Sequence, residues 1–190
     1  MQNNKRLRIL VEGAIFAGLA MALEYVPHDV GVSSIQLCYG LIPLSVYSVR
    51  RGVVPGVFAG LIFGLLDMWL RGSGSLLNPL QIILDYPLAF ALIGLMGITG
   101  TSVKKNILAK RPVQAGLLTV GGFALGNFAK YLSHYFAGVF FWGSYAPKGQ
   151  SAWIYSLVIN GGSFVANLVM GLIVMMILVR ITPQVFTRNL

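Results

Sequence analysis

Acidic side chains are scarce in this chain of 190 residues: five Asp and Glu stand against fourteen Lys and Arg, and charge of both signs makes up only 10%. With 56% hydrophobic residues and a mean hydropathy of +0.77, that composition excludes an ordinary soluble domain. Cysteine is nearly absent. One residue, Cys38, can build neither an intramolecular disulfide framework nor a cysteine-based metal cluster. The two histidines, His28 and His134, do not combine with Asp29 at metal-ligand spacing, so no metal site is expected. The chain also lacks a Walker A loop, a dinucleotide fingerprint, a GxSxG elbow and an HExxH helix. No nucleophile has an evident base. Neither catalysis nor a cofactor is therefore expected.

What the chain has is long apolar runs. Its net charge of +9 would suit nucleic acid if the cations shared one polar face, but they fall in short loops between those runs. At roughly 20 residues per crossing, the runs give six candidate spans, about 7–26, 35–49, 53–70, 78–100, 113–142 and 152–180. The second is short and holds Pro43, which predicts a broken or tilted segment. If the N-terminus lies inside, the inner segments hold Lys5, Arg6, Arg8, Arg50, Arg51, Lys104, Lys105, Lys110, Arg111, Arg180 and Arg188. The outer loops hold only Arg71 and Lys148. This asymmetry predicts that both termini are cytoplasmic. Lys5-Arg6-Arg8 and Ala20-Met21-Ala22 loosely mimic a secretory signal, but Glu12 interrupts the apolar core and cleavage would leave five spans. The reading is an all-α, multi-pass protein of the cell membrane, one bundle of six transmembrane helices forming a single domain over 1–190.

Polar residues inside the spans carry the functional signal. An ionisable residue near mid-bilayer costs ~2.5–3.5 kcal/mol on insertion scales, so it usually faces a cavity or a partner. In the outward-running fifth span, Lys130, His134, Gly138 and Trp142 recur every four residues and form one helical stripe of ~18 Å. Asp85-Tyr86-Pro87 lies in the outer half of the fourth span. Trp153, Tyr155 and Asn160 occupy the first turns of the sixth. Three spans thus deliver polar groups to one outward-facing layer.

Asp85 and Lys130 in that layer could simply neutralise each other and lock two helices together. The surplus of aromatic and amide groups favours a pocket, and aromatic walls beside a carboxylate suit a flat, cationic, nitrogen-rich ligand. Trp142 and Trp153 taken singly are also consistent with interfacial belt residues. Asp67, near the outer end of the third span, either joins the pocket or is hydrated. Glu12 reads as interfacial or in contact with a partner, and His28-Asp29 as a solvated turn. Ala14, Gly18 and Ala22 form a ridge of small residues on the first span, suited to close helix contact with another subunit or within the chain.

Several segments resemble the thiamine-specific substrate-binding (S) subunits of energy-coupling factor (ECF) transporters. They are Asn78-Pro79-Leu80-Gln81-Ile82-Ile83-Leu84-Asp85-Tyr86, Lys130-Tyr131-Leu132-Ser133-His134, the stretch from Phe141 to Gly149, Trp153 to Asn160, and Arg50-Arg51-Gly52. The resemblance covers nearly the whole chain and implies a six-helix vitamin-capture subunit with its pocket toward the outside. It further implies that Asp85, with Tyr86 beside it, binds the nitrogen-rich part of thiamine. Lys130, Tyr155 and Asn160 would add polar contacts, His134 and Trp142 would stack on the two rings, and Gly138 would let the ligand approach the backbone. Ala14 and Gly18, and by extension Ala22, would meet a transmembrane coupling subunit, and two cytoplasmic ATPases would supply the energy. Ser34, Cys38 and Phe63 depart from the tryptophan, glutamate and tryptophan of some members, and some members have glutamate where Asp85 stands. An S subunit for riboflavin or biotin is the nearest rival. A self-sufficient proton-linked transporter is the rival from another class.

Overall fold

Proline and glycine punctuate the apolar runs, and the chain folds as helices between them. The computed structural model describes residues 2–27, 35–72 and 74–187; His28, Asp29, Ser34 and Arg188 lie outside that set. In order, the helices are α1 (Gln2–Leu23), α2 (Leu41–Arg51), α3 (Val53–Arg71), α4 (Pro79–Asp85), α5 (Pro87–Ala91), α6 (Gly100–Leu108), α7 (Pro112–Phe141), α8 (Ala152–Ile181) and α9 (Gln184–Thr187). Two 3₁₀ stretches, Leu92–Thr99 and Gly143–Tyr145, fill the gaps after α5 and α7. Every regular helix or strand among the described residues is helical.

Three expected spans match one helix each: α3, α7 and α8. The other three differ for local reasons. The first helix stops at Leu23 rather than 26, because Pro27 disfavours helical backbone at the residue before it. The second does not begin at 35. Residues 35–40 are non-helical, and α2 starts at Leu41 so that Pro43 falls in its first turn, where no N–H is needed. The fourth expected span is broken. Pro87 has no N–H to continue the ladder, Tyr86 leaves helical geometry at φ −119 and ψ −85, and α4 and α5 meet there at an interruption. Broken helices at membrane depth persist where the interruption is buried in protein or faces a cavity.

Close approach holds the break in place. Gly60 and Gly64 lie one turn apart on α3, and a Cβ at either would run into backbone carbonyls of the broken segment, Phe90 O and Tyr86 O respectively. Ser133 of α7 ties the other side by donating to Leu84 O at 2.7 Å. The core beneath is apolar, built from Leu41, Leu44, Phe63, Ile93, Met96 and Phe123.

The exterior is apolar too. Leu10, Ile15, Phe58, Leu117, Leu157 and Ile173 are all exposed, whereas Glu12, Glu24, Asp67, Gln81, Asn127, Lys130 and Asn167 are buried. Apolar outside and polar inside is the pattern of a protein solvated by lipid. Among the described residues, three helical segments are long and apolar enough to cross a membrane: α3, the interrupted run Pro79–Leu108, and α8. Glu12 is buried rather than presented to a partner. Its carboxylate accepts from Arg51 Nε at 2.6 Å and pairs with Arg50 Nε at 2.9 Å, which fastens α1 to the end of α2.

Candidate functional site

The helix break presents Asp85 to donors from its own helix and from α7. Its Oδ2 accepts from Gln81 Nε2 at 2.7 Å and from Trp142 Nε1 at 3.0 Å, and its Oδ1 lies 3.1 Å from His134 Nδ1. A carboxylate only accepts, so His134 Nδ1 is the protonated ring nitrogen. Gln81 sits one turn before Asp85 on α4 and is fully buried, with its own Oε1 accepting from Leu77 N at 3.1 Å. α7 contributes His134 and Trp142, and α8 contributes Asn160. Asn160 Nδ2 donates to His134 O at 3.3 Å and to Ser156 Oγ at 3.1 Å. Ser156 in turn donates to Tyr135 O at 2.7 Å, closing α8 on α7.

Around this network lie two adjoining chambers. One, of about 440 Å³, is lined by Glu24, Cys38, Asp67, Arg71, Tyr86 and Lys130 among others. The second, of about 360 Å³, is lined by Gly138, Trp142, Tyr145, Tyr155 and Ser156. Asp85, His134, Ile159 and Asn160 belong to both walls, so the two form one cleft with the carboxylate at its waist. Gly138 lets α8 close on α7 beside the second chamber, since a Cβ there would collide with Ser156 Oγ and lie 3.2 Å from Asn160 Nδ2.

All eight residues singled out in the sequence (Asp85, Tyr86, Lys130, His134, Gly138, Trp142, Tyr155 and Asn160) line this cleft. Lys130 does not pair with Asp85. Its Nζ stands 3.9 Å from the centroid of the Tyr131 ring and 5.2 Å from that of Phe90, which disperses its charge over aromatic faces. The two tryptophans separate clearly: Trp142 is in the cleft, while Trp153 is exposed and packs against Tyr135 and Phe140. Tyr86 donates or accepts at 2.7 Å with Ser75 Oγ on the first chamber's wall. Phe63 does not line the cleft; it packs edge-to-face at 4.7 Å under Phe90, which does.

Asp67 is not a hydrated interfacial residue. It is buried and paired at 2.9 Å with Arg71, which also reaches Glu24 at 3.2 Å. Sequence reasoning missed Glu24, Arg71, Gln81, Tyr145 and Ser156. The available signal was opposite charge at one depth: Glu24 ends the first apolar run while Asp67 and Arg71 end the third. The non-helical segment 35–40 is strapped across the cleft by Asn167 of α8, which accepts from Cys38 N and donates to Gln36 O, both at 2.8 Å. Ala14, Gly18 and Ala22 face outward on α1, and nothing lies within 4 Å of a Cβ built on Gly18.

Residues 10–187 match the family described as thiamine transporter protein (Thia_YuaJ). Over 191 residues the chain is 50% identical to the thiamine transporter ThiT of Lacticaseibacillus paracasei, covering 100% of this chain and 95% of that protein. Over 196 residues it is 33% identical to ThiT of Bacillus subtilis, covering 100% and 99%. A solved structure of ThiT from Listeria monocytogenes superposes with a TM-score of 0.91 at 40% identity, over 97% of this chain and 100% of that one.

Proposed function

This chain belongs to the thiamine transporter family, and from that membership we propose that it is the thiamine-capturing S subunit of an ECF-type importer in the plasma membrane. The observation that carries the reading is the waist of the cleft. There Asp85 is fixed by three donors from α4 and α7, between two chambers sized for two linked rings. The aminopyrimidine of thiamine fits the chamber of Trp142, Tyr155 and Asn160, where Asp85 accepts from its amino group and Trp142 stacks on its face. The cationic ring then falls in the adjoining chamber beside His134. A preorganised carboxylate holds such a ligand more tightly than one that must be desolvated and reoriented on binding.

Orientation follows from charge. The Glu12–Arg50–Arg51 cluster, Lys104 and Lys105 of α6, and Lys110 and Arg111 between α6 and α7 lie at the end of the bundle away from the cleft, with Lys104 Nζ donating to Arg50 O at 3.1 Å. Cationic loops on the inner side support six crossings, cytoplasmic termini and a cleft that opens outward. The exposed ridge Ala14, Gly18 and Ala22 is suited to a transmembrane coupling subunit, with two cytoplasmic ATPases driving release.

Reconstitution tests this reading. Thiamine uptake into proteoliposomes is expected only when the coupling subunit and both ATPases are present with ATP. Uptake by this chain alone, driven by a proton gradient and indifferent to ATP, would reject the partner mechanism.

A further inference from the structure

Glu24 is a buried carboxylate, only 5% exposed, on the wall of the first chamber. α1 ends at Leu23 and the chain turns, with Glu24 N bonded to Met21 O at 3.2 Å. The turn aims the side chain inward, where Oε1 accepts from Gly40 N at 2.8 Å and Oε2 from Arg71 Nη1 at 3.2 Å. Three carboxylates line this chamber (Glu24, Asp67 and Asp85) against two cations, Arg71 and Lys130. In their ordinary ionisation states these groups leave one negative charge in excess.

The Glu24–Asp67–Arg71 cluster holds two carboxylates around one guanidinium. Arg71 is closer to Asp67, at 2.9 Å, than to Glu24, at 3.2 Å. Lys130 rests on the faces of Tyr131 and Phe90. Asp85 is engaged by Gln81, Trp142 and His134 at the waist. Glu24 and Asp67 therefore share one guanidinium, with Glu24 the more distant of the two, and a buried charge without full compensation is unfavourable until a counter-charge arrives.

We propose that Glu24 is the counter-charge for the ligand's cationic ring and so determines selectivity for a cation over a neutral isostere. The inference rests on the reading of the cleft as a thiamine site. A quaternary ring nitrogen donates no hydrogen bond, so the carboxylate acts by its field. Gly40 N–H and Arg71 already hold both oxygens in place, so the group serves without moving.

The test compares two ligands on the full-length purified protein by isothermal titration calorimetry. They are thiamine and a neutral isostere whose quaternary ring nitrogen is replaced by carbon. In Glu24→Gln, thiamine affinity is expected to fall about tenfold or more while the isostere changes less than about threefold, as loss of one charge–charge attraction requires. Glu24→Asp keeps the charge and is expected to hold the ratio of the two affinities. Cys38→Glu, made in the Glu24→Gln background, returns a carboxylate to the same chamber and is expected to restore the preference for the cation. Equal weakening of both ligands, or of neither, in Glu24→Gln overturns the proposal, as does a collapsed ratio in Glu24→Asp. Wild-type protein that binds no thiamine would instead overturn the reading of the site itself.

Discussion

Replacing Asp85 by Asn perturbs the waist of the cleft with almost no change in shape. In the wild type three donors converge on the carboxylate: Gln81 Nε2, Trp142 Nε1 and His134 Nδ1. An asparagine has one oxygen and an NH₂ group, so one of the three must turn away. Trp142 can only donate and keeps the oxygen. His134 can shift its proton to the other ring nitrogen and accept from the new amide. The network therefore closes again, and the fold should lose only about 1 kcal/mol, the value of an ordinary hydrogen bond. Ligand binding has no such escape. A charge-assisted hydrogen bond from the aminopyrimidine is worth about 1.5–3 kcal/mol, which at 1.4 kcal/mol per decade predicts affinity weakened roughly 10- to 150-fold. Calorimetric titration of thiamine, with a thermal melt as the folding control, separates the two effects. A folded Asp85→Asn protein that binds thiamine within about threefold of wild type would refute the assignment of this carboxylate to the ligand.

Three further predictions concern other parts of the molecule. Trp142→Ala removes both the ring that walls the second chamber and one donor to Asp85, and should weaken thiamine binding by more than about tenfold; equilibrium dialysis with labelled thiamine measures it, and retained affinity would contradict the stacking role. Gly18→Leu puts a large side chain on an exposed ridge, so thiamine binding by the isolated subunit should be unchanged while uptake by the assembled transporter falls; full uptake would show that this face meets no partner. Glu12→Gln strips the charge that Arg50 and Arg51 share, and removing that common carboxylate should destabilise by about 3–5 kcal/mol. An unchanged unfolding midpoint in detergent would dismiss that cluster as a structural clamp.

The site was legible because membrane insertion penalises polar side chains. Asp85, Lys130, His134 and Asn160 stand out against apolar neighbours, and four-residue spacing puts Lys130, His134, Gly138 and Trp142 on one side of α7. Less legible were groups whose roles depend on which helices meet. Glu24 looks like the end of a hydrophobic run until α3 brings Asp67 and Arg71 to the same depth. Glu12 looked available to a partner because its two arginines lie about forty positions further along the chain. Gln81 is an ordinary helical residue in sequence, and only its full burial beside Asp85 reveals it as the carboxylate's support. Pro43 and Pro87 signalled interruptions of different kinds. The first sets a helix start, because its missing N–H falls where none is needed. The second breaks an otherwise continuous run, because it does not.

The convergence of Asp85, His134, Trp142, Tyr155 and Asn160 on one cleft gives the account its centre. Titrating the purified chain alone with thiamine, and following tryptophan fluorescence, interrogates that cleft directly because Trp142 forms part of its wall. Saturable binding of one thiamine per chain is expected, with a fluorescence change that disappears in Trp142→Phe and with no displacement by riboflavin or biotin. No saturation, or preferential binding of a neutral vitamin, would contradict the account.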